Sequence, residues 1–164
     1  MRGPLRLTRG VITAVEAAGC RAYGRDEEAC GVLSGPATDP PLVDTTLELE
    51  NLANKYHRVD PIGHPRTGRE YFKINALKFD KTVAAARDAG RPAKVFFHSH
   101  LDCGAYWSAE DAASMTMGGT ADPPHELAYL VTAVDAGVVT AHRLFLWNPS
   151  TKDFVEGKFA VVED

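Results

Sequence analysis

The spacing of apolar and polar residues changes several times along the chain, and each change predicts a new element. Within residues 11–23, Val11, Val15, Ala18 and Ala22 recur at helical spacing, and Gly24 supplies a stop. Cys30–Ser34 is a short apolar run closed by Gly35-Pro36, the pattern of a buried strand and a turn. Residues 43–50 alternate, with Val43, Thr45, Leu47 and Leu49 on one side, which predicts a half-buried strand. Residues 51–70 are polar and interrupted by Pro61, Gly63, Pro65 and Gly68, so they read as a long surface loop. A helix is expected over residues 74–88, ended by Gly90 and Pro92, and a strand over 94–100, where Val95, Phe96 and Phe97 lead into two histidines. A short helix follows from Ser108 to about Met117, and Gly118-Gly119 and Pro123-Pro124 frame a second loop. Residues 127–134 and 138–147 form two apolar strands joined at Asp135-Ala136-Gly137, a hairpin signal, and a last short strand is expected near Phe154. Strands interleaved with helices and closed by an antiparallel hairpin predict an α/β domain, with a mixed sheet flanked by two or three helices.

Composition narrows the class of function. At 164 residues the chain has the size of a single domain, 1–164, and can bury a core without disulfides. Apolar residues make up 45% and charged residues 24%, which excludes disorder and fibrous repeats. A net charge of −4 without a basic stripe argues against a nucleic-acid partner. No apolar run approaches the roughly 18–20 residues that cross a bilayer, so no membrane partner is expected. Residues 1–10 carry basic residues with no apolar stretch after them, contrary to a signal peptide. Cys20, Cys30 and Cys103 are odd in number and scattered, a pattern suited to the reducing cytoplasm.

The chemistry-bearing segment runs from His98 to Asp111. Histidines at i and i+2 near a strand end face the same side. Asp111 falls in the first turn of the next helix, and the loop between can fold it back over the strand end. Two imidazoles and a carboxylate suit zinc, and an open fourth position marks a catalytic rather than a structural site. Each feature alone has a plainer explanation. In a chain with six histidines, an isolated His-x-His signals little. Ser108 and Asp111 also fit a capping box, and Glu28, in Asp26-Glu27-Glu28, fits a solvated acidic turn. Cys103 is either an inhibitory zinc thiolate or an ordinary loop thiol. Tyr106 and Trp107 either line a substrate groove or, for Trp107, staple the helix start onto Ala112. His57, His64, His125 and His142 lack ligand spacing.

The joint pattern is more specific. His98-x-His100, then Ser108 and Asp111, together with the upstream stretch Glu28-Ala29-Cys30-Gly31, resembles the JAMM signature of the MPN-plus metalloproteases. Asn51 and Asn54 also look familial, and the resemblance spans roughly residues 9–150. Leu101 and Trp107 stand where the family usually has proline, which bears on loop conformation rather than on a ligand. The resemblance implies an MPN (cytidine-deaminase-like) fold and one zinc per chain held by His98, His100 and Asp111. It implies Glu28, carried on the family's first strand, as general acid–base and Ser108 as oxyanion donor. It further implies a peptidase or isopeptidase cutting at the C-terminal Gly-Gly tail of a ubiquitin-like or sulfur-carrier protein. The alternative is a non-catalytic scaffold that binds a partner tail. A zinc deaminase needs a His-x-Glu and a Pro-Cys-x-x-Cys, and the chain has neither.

Overall fold

The computed structural model describes residues 3–116 and 122–164. Its first element is a strand that no local pattern announces, β1 (Leu5–Thr8), which runs straight into helix α1 (Arg9–Gly24). Thr8 ends the strand and caps the helix, its hydroxyl accepting from the Val11 amide at 3.2 Å. The predicted face of α1 is the buried one: Val11, Val15, Ala18 and Ala22, joined by Ile12 and Gly19.

Strands β2 (Cys30–Ser34), β3 (Leu42–Val43) and β4 (Thr45–Leu49) follow, then α2 (Ala53–Val59) and α3 (Ala76–Asp88). The remaining elements are β5 (Ala93–Leu101), α4 (Ala109–Met115), β6 (Ala128–Asp135), β7 (Val138–Asn148), β8 (Asp153–Gly157) and β9 (Phe159–Val162). Six strands form a mixed sheet in the order β4-β2-β5-β6-β7-β8, in which only β5 and β6 run parallel. A second, three-stranded parallel sheet has the order β3-β1-β9. The mixed α/β expectation holds, and the structure adds β1, β9 and this small sheet to it. Residues 51–70 are not all loop, because α2 occupies their first half. Met117 and Gly118-Gly119, where the sequence places a helix end and a loop, lie outside the described residues. Among the described residues, no helix is long and apolar enough to cross a membrane.

The alternation of β5 divides the core. Val95 and Phe97 join Leu7, Val11, Val15, Leu33 and Leu130 on the α1 side. Phe96 joins Val32, Phe72, Phe79, Tyr129 and Phe145 on the other. A period of two then carries His98 and His100 onto the Phe96 face. Ser99 faces α1, where a Cβ on Gly19 would lie 3.6 Å from the serine Cβ.

Candidate metal centre

His98 and His100 sit where β5 emerges from its apolar stretch, and both are almost fully buried. Phe72 stacks at a tilt on the His98 ring, centroids 4.9 Å apart, and Trp107 meets it edge-on at 5.8 Å. His100 is aimed by its other nitrogen. Nδ1 lies 3.0 Å from the Gly104 carbonyl, which can only accept, so Nδ1 carries a proton there and the ring is turned with Nε2 toward Asp111. Gly104 adopts φ +83° to turn that carbonyl inward, a conformation glycine reaches without strain.

Asp111 arrives from the first turn of α4. The capping box expected from the sequence is present: Ser108 Oγ accepts from the Asp111 amide at 3.0 Å, and Asp111 Oδ2 accepts from the Ser108 amide at 3.0 Å. This local device also orients the carboxylate. Asp111 Oδ1 lies 3.0 Å from His98 Nε2, Oδ2 lies 3.2 Å from His100 Nε2, and the two Nε2 atoms are 3.1 Å apart. Burial by itself would raise the Asp111 carboxyl, but the charge of His98 and hydrogen bonds from both histidines outweigh it and hold it far below the usual carboxylate range.

Glu28 completes the cluster. One ligand atom from each of Glu28, His98, His100 and Asp111 falls within 4.8 Å of the others, and all four residues are buried. Glu28 lies not in a strand but two residues before β2, the second strand in chain order. Its backbone is held from both sides: the amide donates to Gly68 O at 2.6 Å, and its carbonyl accepts from Asn51 Nδ2 at 3.0 Å. Burial first, and then the Asp111 charge, push the Glu28 carboxyl well above its ordinary value, while Arg66 pulls the other way. Glu27 turns elsewhere and accepts from Arg25 at 2.9 Å.

The donor set fits a metal ion. Ligand atoms 2.0–2.1 Å from a tetrahedral zinc stand roughly 3.3 Å apart, close to the spacings here. Glu28 Oε1 is buried with no hydrogen-bond partner among the described residues, an unfavourable arrangement that a nearby cation or its water relieves.

The other expected residues divide. Tyr106 is exposed and edge-on to His100, centroids 5.0 Å apart. Trp107 is half-buried against Tyr129, Phe145 and Phe154, a wall beneath His98. Cys103 is exposed and contributes no atom to the cluster, and Cys30 points its thiol at the Leu49 carbonyl. His57, His125 and His142 bond to His64 O, Asp80 and Thr132 respectively, outside the cluster. Gly104 was not anticipated, and its one sequence signal is a glycine four residues beyond His100. A cleft of about 570 Å³ opens beside Glu28, lined among others by Arg25, Leu49, Asn54, Lys55 and Arg58.

Comparison with known proteins bears on the family and the fold. The family described as prokaryotic homologs of the JAB domain matches residues 9–147. A solution structure of a Desulfitobacterium hafniense protein is similar at 24% identity and TM-score 0.70, covering 98% of this chain and 94% of its own. A JAB1/MPN domain protein from Archaeoglobus fulgidus is similar at 14% identity and TM-score 0.58, with 98% and 100% coverage. A structure described as a JAMM metalloprotease-like zinc site in the proteasome and signalosome is similar at 14% and 0.51, again with 98% and 100% coverage. No curated protein sequence matches.

Proposed function

The chain belongs to the family of prokaryotic JAB-domain homologues, and from that premise we propose that it is a zinc-dependent peptidase or isopeptidase. The observation that carries the reading is the convergence of Glu28, His98, His100 and Asp111 in one buried cluster. In this reading His98, His100 and Asp111 hold one zinc per chain, and Glu28 stays free for proton transfer. Zinc bound there supplies Lewis-acid polarisation of the scissile carbonyl and acidifies a water.

The chain's own groups do the rest. Glu28 takes a proton from the attacking water and returns it to the leaving amine, and burial, followed by the Asp111 charge, raises its carboxyl well above the ordinary value, which makes it the stronger base. Ser108 Oγ already accepts from the Asp111 amide, so its own proton remains to be donated to the developing oxyanion, a contribution of about 3–4 kcal/mol in comparable holes. Tyr106, exposed beside His100, flanks the approach of an extended chain. The substrate proposed is the C-terminal Gly-Gly tail of a ubiquitin-like or sulfur-carrier protein, which rests on the motif resemblance.

The test measures zinc content and hydrolysis of such a Gly-Gly fusion for wild type and Glu28→Gln. One zinc in both, with turnover lower by roughly 10²–10⁴ in the variant, supports the reading. Full activity in Glu28→Gln, or no zinc uptake by wild type, sinks it.

A further inference from the structure

Among the described residues, no group hydrogen-bonds the inner oxygen of the Glu28 carboxylate, so the position of the carboxylate depends on how the main chain delivers it. The strand pairing shows an irregularity at that point. Cys30 stands opposite His98 in the antiparallel β2–β5 ladder, so the next pair outward is Ala29 and Ser99. In a continuing ladder, one of these two pairs would exchange both main-chain bonds. Here the exchange is half made: the Ser99 amide donates to Ala29 O at 3.0 Å, but the Ala29 amide donates to the Ser99 hydroxyl at 2.8 Å. The hydroxyl stands where a carbonyl would, and the ladder stops. Ser99 is 1% exposed and sits between the two histidines, on the opposite face of β5.

We propose that Ser99 is a positioning residue, whose hydroxyl captures the Ala29 amide and so sets the register of the Glu28 carboxylate against His98 and His100. It touches no reacting atom. Gly68 and Asn51 hold Glu28 to the loop beyond β4; the Ser99 hydroxyl, 2.8 Å from the Ala29 amide, is the side chain from within the His-x-His segment that ties the residue next to the base to the ligand strand itself. The inference rests on the peptidase reading for its catalytic consequence, though not for the structural one.

The experiment compares wild type, Ser99→Ala, Ser99→Thr and Glu28→Gln as full chains. Three quantities are read: zinc per chain, the exchange rate of the Ala29 amide, and kcat and KM on a ubiquitin-like Gly-Gly fusion. In Ser99→Ala, zinc stays at the wild-type level, Ala29 exchange accelerates at least roughly tenfold, and kcat drops by about 10–10²-fold with KM unchanged, the scale of a misplaced catalytic group. Ser99→Thr keeps the hydroxyl and restores both exchange and kcat. Unchanged Ala29 protection in Ser99→Ala overturns the inference, as does loss of zinc, which would make Ser99 a support for the ligand strand. Unchanged kcat in Ser99→Ala while Glu28→Gln is inactive overturns the inference and leaves the peptidase reading standing. If wild type cleaves nothing, the peptidase reading falls and Ala29 exchange alone decides for or against the Ser99 clamp.

Discussion

Replacing Asn51 with alanine tests how much of the fold hangs on one amide. The side chain uses its full hydrogen-bonding capacity. Nδ2 donates to Glu28 O at 3.0 Å and Tyr71 O at 3.1 Å, and Oδ1 accepts from the amides of Ala53 and Lys73, both at 3.0 Å. It thereby joins the segment before β2, the start of α2 and the strip leading to α3. In Asn51→Ala the bonds to Glu28 O and Ala53 N are lost in buried surroundings, at about 1–3 kcal/mol for each orphaned group. Tyr71 O and Lys73 N are less buried and regain water. The expected loss is therefore about 2–6 kcal/mol, a large share of the roughly 5–15 kcal/mol that holds a domain together. Urea unfolding under chelation measures it without a metal contribution. Asn54→Ala is the control: it loses the 2.8 Å bond from Gly68 N and a long 3.4 Å contact to Glu27, both only part-buried, and should cost about 1 kcal/mol. A loss below about 1 kcal/mol in Asn51→Ala, or equal losses in the two variants, would refute the reasoning.

Two further outcomes follow from the loop between β5 and α4. Gly104→Ala meets no atom within 4 Å but must hold φ +83°; the carbonyl facing His100 Nδ1 should rotate away, and zinc affinity measured by chelator competition should fall roughly 10–100-fold. Asp102 accepts from Ala136 N, the Tyr23 hydroxyl and Arg69, and these bonds, the Ala136 amide first, lower its pKa from 3.8. Their stabilisation is complete above that value and is lost as pH falls through the lower folded pKa, so the Tm deficit of Asp102→Asn should be present at neutral pH and shrink as pH drops below 3.8.

What was legible in the sequence depended on how far apart the cooperating residues lie. Val11, Val15, Ala18 and Ala22 announce α1 because one helix face repeats locally. His98, His100, Ser108 and Asp111 fall within one strand–loop–helix unit, and their spacing suffices to place them. Leu5–Thr8 is a strand only because Leu42–Val43 and Phe159–Val162 flank it, and four residues at a chain start carry no pattern that foretells partners so distant. Glu28 was recognisable through resemblance alone, since Asp26-Glu27-Glu28 looks like any acidic turn until Asn51, Gly68 and Ser99 are seen around it. Trp107 was equally ambiguous, because its neighbours Tyr129, Phe145 and Phe154 come from the far end of the chain.

The two halves of the cluster close over very different lengths of chain. His100 and Asp111 meet across 11 residues, whereas Ala29 and Ser99 meet across 70. Loop-closure entropy makes the longer approach costlier by roughly 1.5 kcal/mol. During refolding, the segment 98–111 can therefore gather its three ligands first, with Glu28 docking onto it afterwards. The order has a consequence for sequence drift. A substitution at Glu28 itself disturbs only the late step, so a descendant of this chain can lose hydrolysis while keeping the metal-gathering segment intact.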